Sequence, residues 1–222
     1  MSIINRSDYD CLAIIVPSIT KHPNSLIKFF LNQRNSTSLS FVSEFTNLQE
    51  LSLSFSYHIE EDFKALQFVA FSQLQILKFD RFCPKHEYFN EFLGINGKDL
   101  KEIYLRYGGN LSNLAIAKHC PNLKSLYTRF VADKVETLKL ILNSCQQLES
   151  IKVSCDYGYL NESELLKVIT KYSPKKFQEL KIYWPVDSFY LQTEIFLEEL
   201  EPIFINWANR VPQKSLSLII NH

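Results

Sequence analysis

Apolar positions along this chain recur in one short pattern: an apolar residue, two spacers, an apolar residue, one spacer, an apolar residue. The pattern stands at Leu48-Leu51-Leu53, Leu74-Leu77-Phe79, Leu100-Ile103-Leu105, Leu123-Leu126-Thr128, Leu148-Ile151-Val153 and Phe177-Leu180-Ile182. Its first positions, 48, 74, 100, 123, 148 and 177, step by 26, 26, 23, 25 and 29 residues. A near-fixed period of this length marks stacked supersecondary units, each burying its apolar face against the next. Inside each copy spacers and apolar residues alternate, as in Glu50-Leu51-Ser52-Leu53-Ser54. That alternation predicts a short half-buried strand.

Between the copies the spacing becomes helical. Phe63, Leu66 and Val69 fall on one stripe within 61–71, and Leu111, Leu114 and Ala117 on one within 111–120. Val135, Leu138, Leu142 and Cys145 do so within 135–145, and Leu165, Val168, Ile169 and Tyr172 within 163–172. Each predicts an amphipathic helix with one buried face. Strand and helix alternating at this period predict a parallel sheet, one strand per repeat, with the helices supplying the crossovers. At the N-terminal end Cys11–Val16 reads as a strand, and Ser25–Leu31 as a helix with Asn24 as its N-cap. Towards the other end, 187–210 reads as the longest helix, with Leu197, Leu200, Ile203, Phe204 and Trp207 on one side. Ser215–Ile220 reads as a last strand. Segments 1–40 and 187–222 are expected to cap the open ends of a repeat array over 41–186.

Three residues before each pattern stands Phe45, Phe71, Gly97, Cys120, Cys145 or Pro174. A chain leaving a helix for a strand needs a small or apolar plug there, so Cys120 and Cys145 read as packing residues. Pro121 and Pro174 stop their helices. The sequence Cys-x-x-Leu-x-x-Leu/Ile after a helix, seen in residues 111–153, resembles the cysteine-containing leucine-rich repeat of fungal F-box/leucine-rich-repeat proteins. The likeness covers about Phe41 to Tyr183. It implies an α/β leucine-rich-repeat solenoid of the ribonuclease-inhibitor-like (RNI-like) kind, with a curved parallel β-sheet on the concave side and helices on the convex side. It also implies repeats that recognise substrates for a cullin-type ubiquitin ligase, in which a separate F-box binds the Skp adaptor. Residues 1–40 lack the Leu-Pro step and the apolar-rich helices of an F-box, so a Skp-type adaptor and a cullin are expected only if an F-box lies elsewhere. The family's asparagine ladder is absent too: the places after the strands hold Ser56, Phe82, Gly108, Val131 and Asp156. The alternative is a ribonuclease-inhibitor-like scaffold or regulator unconnected to ubiquitin.

Composition narrows the function classes. Hydrophobic residues make up 46% and charged residues 22% of 222, the balance of an ordered chain. Lys plus Arg and Asp plus Glu each total 24, which removes the broad positive field of a nucleic-acid coat. No GxGxxG or GxxxxGK[ST] phosphate cradle occurs. The five cysteines, an odd number without secreted-module spacing, predict reduced thiols and a cytoplasmic or nuclear location. Cys11–Val16 is too short for a signal-peptide core, and no apolar run reaches bilayer length, so no membrane partner is expected. Cys83-Pro84-Lys85-His86 offers two metal-ligand types where a structural zinc takes four, and it reads as a loop. Tyr57–Asp62 reads as a loop and helix start whose acids suit the positive helix end. Neither a nucleophile–base pair nor paired carboxylates stand out. No enzyme activity and no cofactor are expected.

The spacers between the apolar slots carry the remaining candidate chemistry. One column of them reads Ser52, Lys78, Tyr104, Tyr127, Lys152, Lys181, and the next reads Ser54, Asp80, Arg106, Arg129, Ser154, Tyr183. Strands about 4.8 Å apart would make Arg106 and Arg129 neighbours, and likewise Lys152 and Lys181. Like charges side by side are mildly destabilising, and Tyr and Arg dominate interface hot spots. Lys78, Tyr104, Arg106, Tyr127, Arg129, Lys152, Lys181 and Tyr183 are therefore the candidate partner-binding residues, suited to an acidic or phosphorylated protein ligand. A third column, Glu50, Ile76, Glu102, Ser125, Ser150, Glu179, brings acids that offset the excess, and a mixed solvated face is the plain alternative.

Overall fold

A computed structural model describes residues 2–5, 12–33, 38–55, 63–155, 158–183, 197–210 and 215–221. The chain divides into two units, Met1–Tyr107 and Gly108–His222.

In the first unit five strands follow one another across a parallel sheet: β1 (Ser2–Asn5), β2 (Lys28–Gln33), β3 (Glu50–Phe55), β4 (Ile76–Phe79) and β5 (Glu102–Leu105). Helices α1 (Leu12–Ile19) and α2 (His86–Asn96) lie between them in sequence, with short 3-10 turns at Pro23–Ser25, Ser40–Glu44 and Gly97–Asp99. The second unit has β6 (Ser125–Thr128), β7 (Ser150–Ser154), β8 (Glu179–Tyr183) and β9 (Ser217–Asn221), again parallel and in order. Its helices are α3 (Asn110–His119), α4 (Val135–Ser144), α5 (Glu162–Tyr172) and α6 (Leu197–Ala208). Both units are therefore α/β with all-parallel pairing.

The register aligns equivalent slots of successive copies. Leu51 pairs with Leu77 and Leu77 with Ile103 in the first unit; Leu126 pairs with Ile151 and Ile151 with Leu180 in the second. Every slot residue of the six copies is at most 1% exposed. Burying one Leu or Ile side chain in this way is worth about 1.5–3 kcal/mol, so the slots drive the fold. The plugs do a second job. In each copy the N–H of the first slot residue donates to the carbonyl of the plug, from Leu48 to Phe45 (3.3 Å) through Leu123 to Cys120 (3.2 Å) to Phe177 to Pro174 (3.0 Å). One carbonyl then accepts two N–H groups of the next copy: Gln49 takes Gln75 and Ile76, Gln75 takes Lys101 and Glu102, and Lys124 takes Glu149 and Ser150. Strands β4, β5 and β7 are thus each docked at a fixed height on the strand before.

Four sequence expectations are corrected. Cys11–Val16 is not a strand: Leu12–Ile19 is helical, because it connects parallel strands β1 and β2 and a parallel pair needs a crossover on one face. Ser25–Leu31 is not a helix. Leu26, Phe29 and Leu31, each at most 1% exposed, are a further copy of the slot pattern carried on β2. Asn24 caps nothing there; its Oδ1 accepts from the Thr46 hydroxyl at 2.6 Å. Third, Leu111 and Leu114 do not face inward on α3. They are 53% and 36% exposed, and Ser112, Asn113, Ala115 and Ile116 form its buried face. Fourth, His86 is not in a loop but begins α2, an element the hydrophobic spacing did not show. The helix expected over 61–71 is present only at Phe63 and Lys64 among the described residues, and turns follow at 65–68, with Phe63 and Leu66 fully buried. The readings at 56–62, 156–157 and 187–196 lie outside the described residues.

Candidate functional site

Successive strand residues point to opposite faces, so the residues between slots form the face away from the apolar layer. On the first unit this face is a chain of ion pairs. Lys28 on β2 stands 3.0 Å from Glu50 on β3; Lys78 on β4 reaches back to Glu50 (3.3 Å) and forward to Glu102 on β5 (3.1 Å). Burial pulls the Lys78 ammonium downward, but hydrogen bonds and charge from Glu102 and Glu50 outweigh it and hold its pKa above the ordinary value. Burial likewise opposes ionisation of Glu50, yet Lys28 and Lys78 keep its carboxyl below the ordinary range. Beyond Phe79, Asp80 accepts from Arg106 (3.3 Å) and, at a long 3.5 Å, from the Tyr104 hydroxyl. Of the predicted residues in this unit, Lys78, Tyr104 and Arg106 are each joined to an acid.

The second unit holds its cations differently. The register sets Tyr127 of β6 beside Lys152 of β7, and Lys152 beside Lys181 of β8. Lys152 Nζ lies 4.7 Å from the ring centroid of Tyr127 and 5.1 Å from that of Tyr183. The expected Lys152–Lys181 pairing is present, and the like charges separate: Lys181 turns to Glu179 at 2.9 Å while Lys152 leans between the rings. Tyr127 is only 6% exposed, so its ring is a wall of the site. Ser154, beside Tyr183 in the register, is 1% exposed.

Arg129 is positioned from below and above. Its carbonyl accepts from Asn113 Nδ2 of α3 at 2.7 Å, and Asn113 Oδ1 accepts from the hydroxyl of Thr128 at 2.8 Å. This explains a threonine in an apolar slot: Thr128 and Asn113, both fully buried, satisfy each other. Above, the guanidinium stacks 5.1 Å from the Tyr159 ring, whose hydroxyl is 3.5 Å from Nη1. Tyr159 is brought there by Gly158. At φ +81°, a conformation glycine adopts without steric cost, Gly158 turns the chain so that Tyr159 bridges Val131 and Leu160 N–H donates to Phe130 O at 2.7 Å. Tyr159 lies outside the repeated pattern and was missed; the glycine just before an aromatic residue was the available signal. Arg106 belongs to the first unit and Arg129 to the second.

The cysteines behave as packing residues. Cys120, Cys145 and Cys155 are buried and unpaired with one another by disulfides. Burial pushes the Cys145 and Cys155 thiols up to about 12, and burial with the nearby Cys145 raises Cys120 well above its ordinary value. Thiolate nucleophiles are not available from these residues at neutral pH. Among the described residues no group of three His, Cys, Asp or Glu could hold a metal ion, and no helix is long and apolar enough to cross a membrane. No family model matches the chain, and no curated protein matches it in sequence.

Proposed function

We propose that this chain is a non-enzymatic protein-interaction module, a leucine-rich-repeat solenoid of the RNI-like kind, that grips an acidic or phosphorylated protein segment on the strand face of its second unit. The observation that carries the reading is Lys152 held between Tyr127 and Tyr183 across three strands. The rings fix the ammonium without a long side chain having to be ordered on binding, and they add flat apolar area beside it. Arg129, stacked on Tyr159, supplies a second oriented cation with a fork suited to carboxylate or phosphoryl oxygens. By resemblance, the module would present substrates to an F-box-type ubiquitin ligase.

The second reading is a scaffold unconnected to ubiquitin. It is supported by residues 2–33 themselves being β1, α1 and β2, a further strand–helix–strand step in register with the sheet. The discriminating experiment has two arms. Fixed-sequence peptide libraries carrying phosphoserine, glutamate or glutamine at the central position are titrated against the chain and against Lys152→Gln and Arg129→Gln. Binding of the anionic libraries, weakened about tenfold or more by either change and untouched by Lys78→Gln, supports the site. Equal binding of the glutamine library would sink it. Reconstitution with a Skp-type adaptor and cullin then separates the two readings: stable co-elution supports the ligase, and its absence the scaffold.

A further inference from the structure

Two buried hydroxyls on the strand faces lack the partner that buried polar groups ordinarily find. Ser54 on β3 and Ser154 on β7 are each 1% exposed, and neither hydroxyl has a hydrogen-bond partner among the described residues. They occupy the same place in their copies, one residue past the last slot. Their surroundings differ. Ser54 pairs with Asn32 of β2; on its other side Leu53 pairs with Phe79, after which comes Asp80. Ser154 pairs with Tyr183 of β8; on its other side Val153 pairs with Thr128, after which comes Arg129. Two residues earlier on the same face stands Lys152, between the rings of Tyr127 and Tyr183. The orphan hydroxyl of the first unit thus lies beside an acid, and that of the second beside two cations.

We propose that Ser154 makes this site selective for a phosphorylated side chain over a carboxylate, its hydroxyl donating to a phosphoryl oxygen while Arg129 and Lys152 hold the others. The inference rests on the reading of this face as a grip for an anionic protein segment. Lys152 and Ser154 lie roughly 6.6 Å apart along one strand, and Arg129 stands about one strand spacing, roughly 4.8 Å, across from Ser154. Three donors of different reach therefore surround one point. A carboxylate brings two oxygens in one plane, which the Arg129 fork alone can occupy. A phosphoryl group brings three oxygens and close to a second negative charge, which leaves an acceptor for Ser154 and a charge for Lys152. An apolar residue of similar size would fill the Ser154 position without leaving a buried donor unsatisfied. The hydroxyl is therefore a cost to the chain alone and an asset once a ligand supplies the acceptor. It is covered in this structure, and a side chain on this face changes rotamer to admit the oxygen, as is common where partners meet.

The phosphoserine, glutamate and glutamine libraries, titrated by fluorescence polarisation against wild type, Ser154→Ala and Ser54→Ala, test this. Wild type binds the phosphoserine library about tenfold tighter than the glutamate library. Ser154→Ala removes most of that preference, weakening phosphoserine binding about tenfold and leaving glutamate binding within about twofold. Its urea midpoint is unchanged or raised, because no group in the chain loses a partner. Ser154→Cys, close in size and a weak donor, repeats the result. Ser54→Ala, equally buried, leaves all three affinities as in wild type. The inference falls, with the anionic reading intact, if wild type binds glutamate as tightly as phosphoserine, if Ser154→Ala weakens both alike or neither, or if Ser54→Ala has the same effect. Glutamine binding equal to that of both anionic libraries, or no binding by any library, removes the reading itself and the inference with it.

Discussion

The two units bury the same apolar slots and dress the opposite face in different chemistry. In the first, lysines 28 and 78 alternate with glutamates 50 and 102 across four strands, and Arg106 leans on Asp80. In the second, Lys152 and Arg129 rest on the rings of Tyr127, Tyr183 and Tyr159. Ion pairs on a solvated face contribute little and are screened by salt. A ring holds a cation in place without cancelling its charge. The same backbone lattice can thus carry a face laced by ion pairs between neighbouring strands and one on which cations are set against aromatic rings. The difference lies in the residues between the slots and in Tyr159, which the slot pattern does not dictate.

The shared layer is where substitution should cost most. Leu77→Ala in the first unit and Leu126→Ala in the second each remove a fully buried side chain from equivalent slots. Each should lose about 2–5 kcal/mol in urea denaturation. A loss below about 1 kcal/mol at either site would break the equivalence of the two units. Next in size is a feature the first unit lacks. Thr128→Val keeps the slot's shape but strips Asn113 Oδ1 of its donor inside a fully buried site, at about 1–3 kcal/mol. Asn96, the buried asparagine of α2, bonds only backbone groups: Phe71 N–H, Val69 O and Phe92 O. No slot substitution in the first unit should therefore reproduce the Thr128 effect. Equal losses for Thr128→Val and Leu53→Ile would show that the clasp contributes nothing.

The sequence showed the slots because burial makes them apolar at every position but Thr128, whose hydroxyl is satisfied by Asn113. It hid the copy at Leu26-Phe29-Leu31 because Phe30, an apolar residue between the slots, blurs the alternation. Leu111 and Leu114 misled for a related reason: leucines at helical spacing read as an inward stripe, while Asn113 had to face inward to serve Thr128 and Arg129. Site residues on strands were placed by register alone. Tyr159 was not, because its position depends on a single glycine turn and a bridge to Val131, neither of which has a period.

A smaller effect separates the faces directly. Tyr127→Leu retains apolar area but removes the ring beside Lys152, for about 0.5–2 kcal/mol. The loss should persist at high salt. Tyr104→Leu in the first unit, whose hydroxyl only approaches Asp80 at 3.5 Å, should cost less. Matching losses with matching salt dependence would erase the distinction between ring-held and acid-held cations.

The smallest expected effect is the pH signature of the ion-pair chain. Glu50 has its pKa lowered in the folded chain, burial opposing the change and Lys28 and Lys78 overriding it. A carboxyl depressed by folding contributes stability above its unfolded pKa, and that contribution fades as pH falls through the folded one. The stability difference between wild type and Glu50→Gln should thus be present at neutral pH and shrink as pH drops through and below the ordinary carboxylate range. Lys78 mirrors this: its raised pKa gives a contribution present below the ordinary lysine value and lost only as pH climbs past the raised one. Lys28 is 59% exposed, so the Glu50 difference should stay under about 1 kcal/mol and fall further in high salt. A Glu50→Gln difference that stays constant across pH and salt would show that the ion-pair chain contributes nothing to the first face, and with it the contrast between the units disappears.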